Sequence, residues 1–354
     1  MLNEMLMSPE LDYASFDELQ EAFHARGWTG GLPIVAPTVE RVRRMIAASG
    51  RGARDVLGIV PPLFAEATVE NVAVNAVMAG CKPEYMPVLI AGVEAACAAD
   101  FGLFGVQATT HPCAVAMVVS GPVIERIGMN CGAGVMGPGN RANATLGRAL
   151  RLILVNVGGA IPGNGDQSTQ GNPGKYSYVV AENEAATPWA PYRVQLGFGE
   201  TDSTVTVVSG EAPHNINDHF CRSGIDILTT AADTMATVGN NNGGTIGLGD
   251  VMVVLGPEHA VGISRDGLTV DDVRRFLFEN ARNRLGDIRN RGLWEMFAWP
   301  RWIDQSDDEA RVPIVERPED IHVIVSGGAG KHSAFIPTVG IQKSVTRKIA
   351  DATY

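Results

Sequence analysis

The chain has no C-x-x-C pair, no Gly-Lys-Ser/Thr phosphate loop and no apolar run that approaches 18 residues. The first absence excludes a zinc knuckle or a thioredoxin-type centre, which need closely spaced thiols. The second excludes a Walker-type nucleotide site. The third excludes a spanning helix, which needs about 20 consecutive apolar residues. Positive charge is also scarce, with 28 Lys and Arg against 39 Asp and Glu and a net charge of −11. Nucleic acid and anionic membranes both require a basic face, so neither is an expected partner. The opening MLNEMLMSPELDYASFDEL is acidic and has no basic segment leading into an apolar core. The sequence therefore predicts no signal peptide and a cytoplasmic address.

Glycine, by contrast, is abundant, at 41 of 354 residues, and 45% of the chain is hydrophobic. That composition suits a large, loop-rich α/β enzyme rather than a disordered chain. Residues 1–105 read as mainly helical. Ser15 with Glu18 makes a capping box before a helix stopped by Gly27, Thr38 caps a second helix to Ser49, and Thr68 caps a third ending near Gly80. Pro87 suits the first turn of a fourth. Residues 106–354 read as an α/β region with a mixed or parallel sheet, built from short apolar runs that end in glycine: MVVSG to Gly121, TVVSG to Gly210, VMVVLG to Gly256 and VIVSGG to Gly328. The two VVSG runs are 89 positions apart (207 minus 118), which raises an internal duplication with halves 106–200 and 201–354. Helices are predicted over Ala142–Asn156 and from a Thr269 cap through the run TVDDVRRFLFENARNR. The Trp294–Trp302 run is an apolar patch suited to packing or a subunit contact.

Two stretches carry most of the chemistry. In GPGNRANATLGR, Gly137 and Gly139 free backbone amides just ahead of a helix start, where negative charge is favoured. With Asn140, and with Arg141 or Arg148 as a charged clamp, this predicts a cradle for a carboxylate, phosphate or developing oxyanion. Gly132-x-Gly134-x-x-Gly137 has the dinucleotide spacing, but no strand abuts it. The following loop, DQSTQGNPGKYSYVVAENE, gathers Asp166, Ser168, Thr169, Lys175, Glu182 and Glu184. Lys175 is a candidate base or carbonyl polariser. Glu182 and Glu184 share a face if extended, and could share a proton or, with Asp166, hold a divalent metal. No cofactor is named by the sequence.

Five cysteines, Cys81, Cys97, Cys113, Cys131 and Cys221, are widely spaced. Cys81 and Cys97 read as core thiols. Cys131, among glycines and near a helix start that would lower its pKa, is the nucleophile candidate, while His111 lies beside Cys113. His214, Asp218 and His219 have irregular spacing for a metal set. Lys331, His332 and Ser333 follow a strand, where α/β sheets bind ligands. They are expected to meet the Gly137–Arg148 segment in one pocket.

The phrases AVMAGCKPEYMPV, GPGNRANATLGRALRLILVNVGG, QGNPGKYSYVVAENE and GGAGKHSAFIPT together resemble a large bacterial family associated with UGSC-motif (seleno)proteins. The name-giving tetrad does not occur here, so the resemblance assigns no residue a role.

The expectation is a hydrolase or lyase acting on a small polar or carboxylate-bearing substrate. Cys131, Lys175, Glu182, Lys331 and His332 are its acid–base or nucleophilic groups. Gly137, Gly139, Asn140, Arg141, Ser168 and Ser333 bind the substrate. A thiol-dependent oxidoreductase using Cys113, Cys131 or Cys221 is one alternative, and a non-catalytic subunit of a larger enzyme is another. A homo-oligomer is expected from the apolar surface.

Overall fold

The glycine-ended apolar runs do form strands. A computed structural model of the chain describes residues 6–243, 249–292, 294 and 299–350. The first part holds α1 (Phe16–Ala25), α2 (Val39–Ser49), the hairpin β1 (Val56–Val60) and β2 (Ala65–Thr68), α3 (Val69–Ala79), α4 (Met86–Ala96) and α5 (Leu103–Ala108). There follow β3 (Ala114–Ser120), α6 (Val123–Arg126), α7 (Arg141–Asn156), β4 (Ile161–Pro162), β5 (Gly165–Asp166), β6 (Val179–Ala181), α8 (Tyr192–Gln195) and β7 (Thr204–Gly210). Then come β8 (His214–Asn217), α9 (Gly224–Met235), β9 (Val251–Leu255), α10 (Pro257–Arg265) and α11 (Val270–Asn280). The chain closes with β10 (Arg282–Arg284), α12 (Leu285–Ile288), β11 (Arg311–Pro313), β12 (Ile321–Val325), β13 (His332–Ile336) and β14 (Val345–Lys348). Among the described residues no single helix is long and apolar enough to cross a membrane.

Two four-stranded sheets dominate, with orders β14-β7-β3-β6 and β8-β13-β9-β12. Each has one parallel pair, β3 with β6 and β9 with β12, and its other pairs are antiparallel. The fold is thus α/β with mixed sheets. Alternation along the strands explains how they stack. Ala116, Val118 and Val180 of the first sheet share a core with Met252, Val254 and Ile324 of the second. The opposite faces meet helices: Met117, Val119 and Val179 pack with α2, α3, α4 and α7, and Val253, Leu255 and Val323 pack with α9, α10 and α11. The result is helix, sheet, sheet, helix. Strands covered on both faces need apolar side chains at nearly every position, which is why they read as unbroken apolar runs. Each fully buried side chain such as Leu146, Leu150 or Ile153 of α7 contributes about 1.5–3 kcal/mol.

Several boundaries differ from the sequence reading. The helices of residues 1–105 lie in one core with the first sheet, so 105/106 does not divide two cores. The 200/201 division falls before β7, which belongs to the first sheet. The two VVSG runs are not equivalent positions in two halves. They are β3 and β7, antiparallel neighbours with Val118 opposite Thr206. The strands that hold the matching central place in the two sheets are β3 and β9, and their similar runs MVVSGP at 117–122 and MVVLGP at 252–257 are one residue out of step, since Met117 faces helices and Met252 faces the other sheet. The helix capped by Thr269 stops at Asn280, because residues 282–284 pair with Arg311–Pro313. Within the tryptophan patch, residues 293 and 295–298 lie outside the described residues. Trp294 and Trp299 pack together beside Leu285, Ile288, Ile303 and Val312, and Trp302 is exposed.

Candidate active site

The parallel pair β3 and β6 ends in three polar residues that meet. β3 runs out at Ser120, and beyond β6 the N–H of Glu182 still donates to the Val119 carbonyl at 2.9 Å. Glu182 therefore continues the alternation of Val180 and points between the sheets, where it is 1% exposed. One of its oxygens makes a very short hydrogen bond with Ser120 Oγ, and the other accepts the Tyr192 N–H at 2.8 Å. Burial pushes its carboxyl up to about 7. The Ser120 and Tyr192 hydrogen bonds oppose that rise, Glu184 adds to it and Arg193 reduces it.

Glu184 lies on the other side of the same hydroxyl. Its Oε1 is 3.4 Å from Ser120 Oγ, accepts the Gly121 N–H at 2.6 Å and pairs with Arg193 Nη1. Arg193 is buried, and its Nη2 is fixed by the Glu200 carbonyl at 2.5 Å. Its backbone N–H donates to Ser120 Oγ at 3.3 Å. The Glu184 side chain keeps 26% of its surface exposed and so forms the solvent side of the cluster. Only glycine fits at 121. Its φ is +113°, and a Cβ would lie 2.5 Å from the Asp202 carbonyl oxygen.

The second sheet supplies the opposing wall. Ser326 Oγ donates to the Ala181 carbonyl at 2.7 Å, the Asn183 N–H to Val325 O at 2.8 Å and Asn183 Nδ2 to Gly327 O at 3.2 Å. The Gly327 N–H donates to Cys131 O at 2.9 Å, which brings Cys131 to this junction. Its thiol is pushed up by burial and by the negative charge of Glu184, not lowered as the sequence suggested. The physical reason is distance from a helix start: α7 begins only at Arg141, and its cap Asn140 already fills an orphan donor, the Asn143 N–H. Burial also raises Cys81 and Cys113 to about 12, Cys97 to about 11, and Cys221. In all five thiols the shift opposes formation of the thiolate, the form a nucleophilic cysteine needs.

The remaining predicted residues lie elsewhere. Asp166, Ser168 and Lys175 gather with Cys113 and His111 at the amino end of β3. Its seven residues separate them from Glu182 by about 20 Å. Lys175 Nζ holds both Asp166 oxygens at 2.7 Å and also bonds Ser168, while Arg151 reaches Asp166 at 2.9 Å. Burial alone would raise the Asp166 carboxyl. Hydrogen bonds from Lys175 and the Ser168 N–H, with the charges of Lys175 and Arg151, hold it below its usual range. Lys175, expected as a base, is the ion-pair partner of Asp166 instead. Asp166 and Glu184 stand at opposite ends of β3, each compensated by cations, and do not combine as metal ligands. Among the described residues no group of three His, Cys, Asp or Glu is arranged to hold a metal.

The glycine-rich cradle is closed on itself. The Gly137 N–H donates to Gly134 O at 2.7 Å, and Asn140 Nδ2 to Gly128 O at 2.8 Å. Gly139 adopts φ +117° in the turn before α7. Arg148 bonds the carbonyls of Leu32 and Pro33, and Arg141 that of Gly80. Lys331 lines a cavity with Cys221 and His259, and Arg141 a different one with Arg41 and Lys82. Lys331 Nζ donates to His219 O at 3.0 Å, the His332 and His219 Nε2 atoms are 3.2 Å apart, and Ser333 Oγ bonds His259 Nδ1 at 2.8 Å. The two segments expected in one pocket thus turn to different neighbours. Ser120, Gly121, Tyr192 and Arg193 were not singled out from sequence. The serine and glycine sit in the strand-ending VVSG signature, whereas Arg193 carries no sequence signal. No protein-family model, curated protein or solved structure matches the chain.

Proposed function

We propose that this protein is an acid–base enzyme, a hydrolase or lyase for a small polar molecule, with Glu182, Ser120 and Glu184 as its proton-handling centre. The observation that carries this reading is the pair of carboxylates sharing one serine hydroxyl, the buried one titrating near 7. Near pH 7 Glu182 gains and loses its proton readily. When Glu182 holds it, its O–H donates to Ser120 Oγ, and the Ser120 hydroxyl faces Glu184 Oε1 on the solvent side. A general acid or base poised near the working pH contributes typically 10²–10⁴-fold, and the raised value of Glu182 supports that role. Arg193 holds Glu184 in place but has no charge left for a substrate carboxylate, so the substrate class here is small and polar.

The mechanism needs no covalent nucleophile, in keeping with thiols held neutral and a lysine held in an ion pair. Five free cysteines suit a reducing compartment, which supports the cytoplasm. The stacked and exposed Phe64 and Phe104, 61% and 52% exposed, support a homo-oligomer built on that surface.

Two measurements test the centre. An infrared titration should show a protonated carboxyl that ionises near pH 7 and is missing in Glu182→Gln. A panel of small esters, amides and β-substituted polar compounds should reveal turnover that Glu184→Gln and Ser120→Ala each reduce at least about 100-fold. Full turnover in both variants would overturn the assignment.

A further inference from the structure

Four cations converge on a cleft that lies apart from the carboxylate centre. Arg41 and Arg44 come from α2, Lys82 from the turn after Gly80, and Arg141 from the first residue of α7. The cleft has a volume of about 320 Å³, and its floor includes buried Met45 and Val77. Its one carboxylate, Glu84, is engaged by Lys82 at 3.4 Å. In a chain of net charge −11, four positive groups around one small hollow oppose the general field.

Two of the four are also pre-set. Arg41 Nη1 donates to Ala36 O at 2.8 Å, and Arg141 Nε to Gly80 O at 2.9 Å. Each anchor fixes one edge of a guanidinium and leaves further N–H groups for a ligand, which lowers the entropy lost on binding. Guanidinium forks match the paired oxygens of phosphates and carboxylates. The net negative charge of the chain repels long polyanions, while a concave basic hollow concentrates small ones.

We propose that this cleft binds a small organic dianion, a phosphate ester or a dicarboxylate, with its charged end among Arg41, Arg44, Lys82 and Arg141 and its apolar part on Met45 and Val77. The anion-binding role expected of the glycine loop thus passes to side chains beside it. Arg141 is shared between the two ideas, but here its partners come from α2 and the turn after Gly80.

The test is thermal unfolding at low salt with phenyl phosphate and with phthalate as probes. Either probe should raise the Tm of the wild-type protein in a concentration-dependent way. Arg44→Gln, whose side chain has no hydrogen bond or ion pair among the described residues, and Arg141→Gln should each weaken that response about tenfold. A shift from phenyl phosphate alone assigns the phosphate class, and one from phthalate alone assigns the carboxylate class. No shift with either probe at about 10 mM, the weak end of specific binding, would overturn the proposal. So would equal shifts in the wild type and both variants.

Discussion

The hydroxyl of Ser326 donates to the carbonyl of Ala181 at 2.7 Å, joining the last residue of β6 to the first residue beyond β12. This bond ties the two sheets together where the carboxylate centre opens. It is buried, so its loss leaves the Ala181 carbonyl without that donor. Ser326→Ala should lower stability by about 1–3 kcal/mol, read as a reduced urea midpoint at unchanged slope. A midpoint equal to that of wild type would show that the Asn183 bonds hold the junction unaided.

Glu182 gives the chain a specific pH signature. Its carboxyl titrates at about 7 in the fold against an ordinary value of 4.5, so the native state binds that proton more tightly than the unfolded chain. Its contribution is complete below the unfolded value and is lost as pH rises through the folded one. Across that window the wild type should lose on the order of 3 kcal/mol that Glu182→Gln does not lose. Denaturant melts at about pH 5 and pH 8 measure the difference. Parallel loss in both proteins would show that the slope belongs to other groups.

Lys175→Met tests the ion pair at the far end of β3. It strips Asp166 of its closest partner and leaves Arg151 alone to compensate a buried charge. A loss of about 2–4 kcal/mol is expected, with the deficit shrinking as pH falls and Asp166 takes up a proton. Turnover, once a substrate is known, should be unchanged at temperatures where the variant is folded. Selective loss of turnover would restore the base role that the sequence suggested.

Thiol reactivity separates the acid–base reading from a redox one. All five cysteines have raised values, so each should react with a disulfide reagent at neutral pH more slowly than free cysteine. The partly exposed Cys131 and Cys221 should react first, with Cys81 and Cys113 following only on unfolding. One thiol faster than free cysteine would reopen the redox reading.

Local structure was largely legible in the sequence. Ser15, Thr38, Thr68 and Thr269 each accept from a backbone N–H three residues on, as their spacing predicts. Short-range signals suffice there because a cap and its helix are neighbours in the chain. The alternation expected of Glu182 and Glu184 holds only for Glu182, because β6 ends at Ala181 and Glu184 lies in the turn beyond; the two meet at Ser120 instead. Pairings across the fold were not legible. Nothing in the VVSG repeats says that they lie antiparallel in one sheet, because strands of similar composition can pair in many registers. Arg193 and Arg141 show the same limit: which oxygen an arginine meets depends on elements far away in sequence.

Assembly is open to a direct check. Phe64 and Phe104 stack with ring centroids 5.7 Å apart on the outside of the fold, beside exposed Leu63. Light scattering should give a mass that is a multiple of 37.5 kDa, and Phe64→Ser with Phe104→Ser should return it to the single-chain value. A single-chain mass for the wild type would end the oligomer proposal.

The two outer strands, β8 and β14, each complete the sheet to which their preceding strand does not belong. On a ribosome this sets an order of events. The first sheet waits for Val345–Lys348, so the edge of β7 stays open through the synthesis of about 135 intervening residues. The second sheet lies wholly within residues 214–336 and interrupts the first, so a chain truncated before β14 would present that open edge to its neighbours.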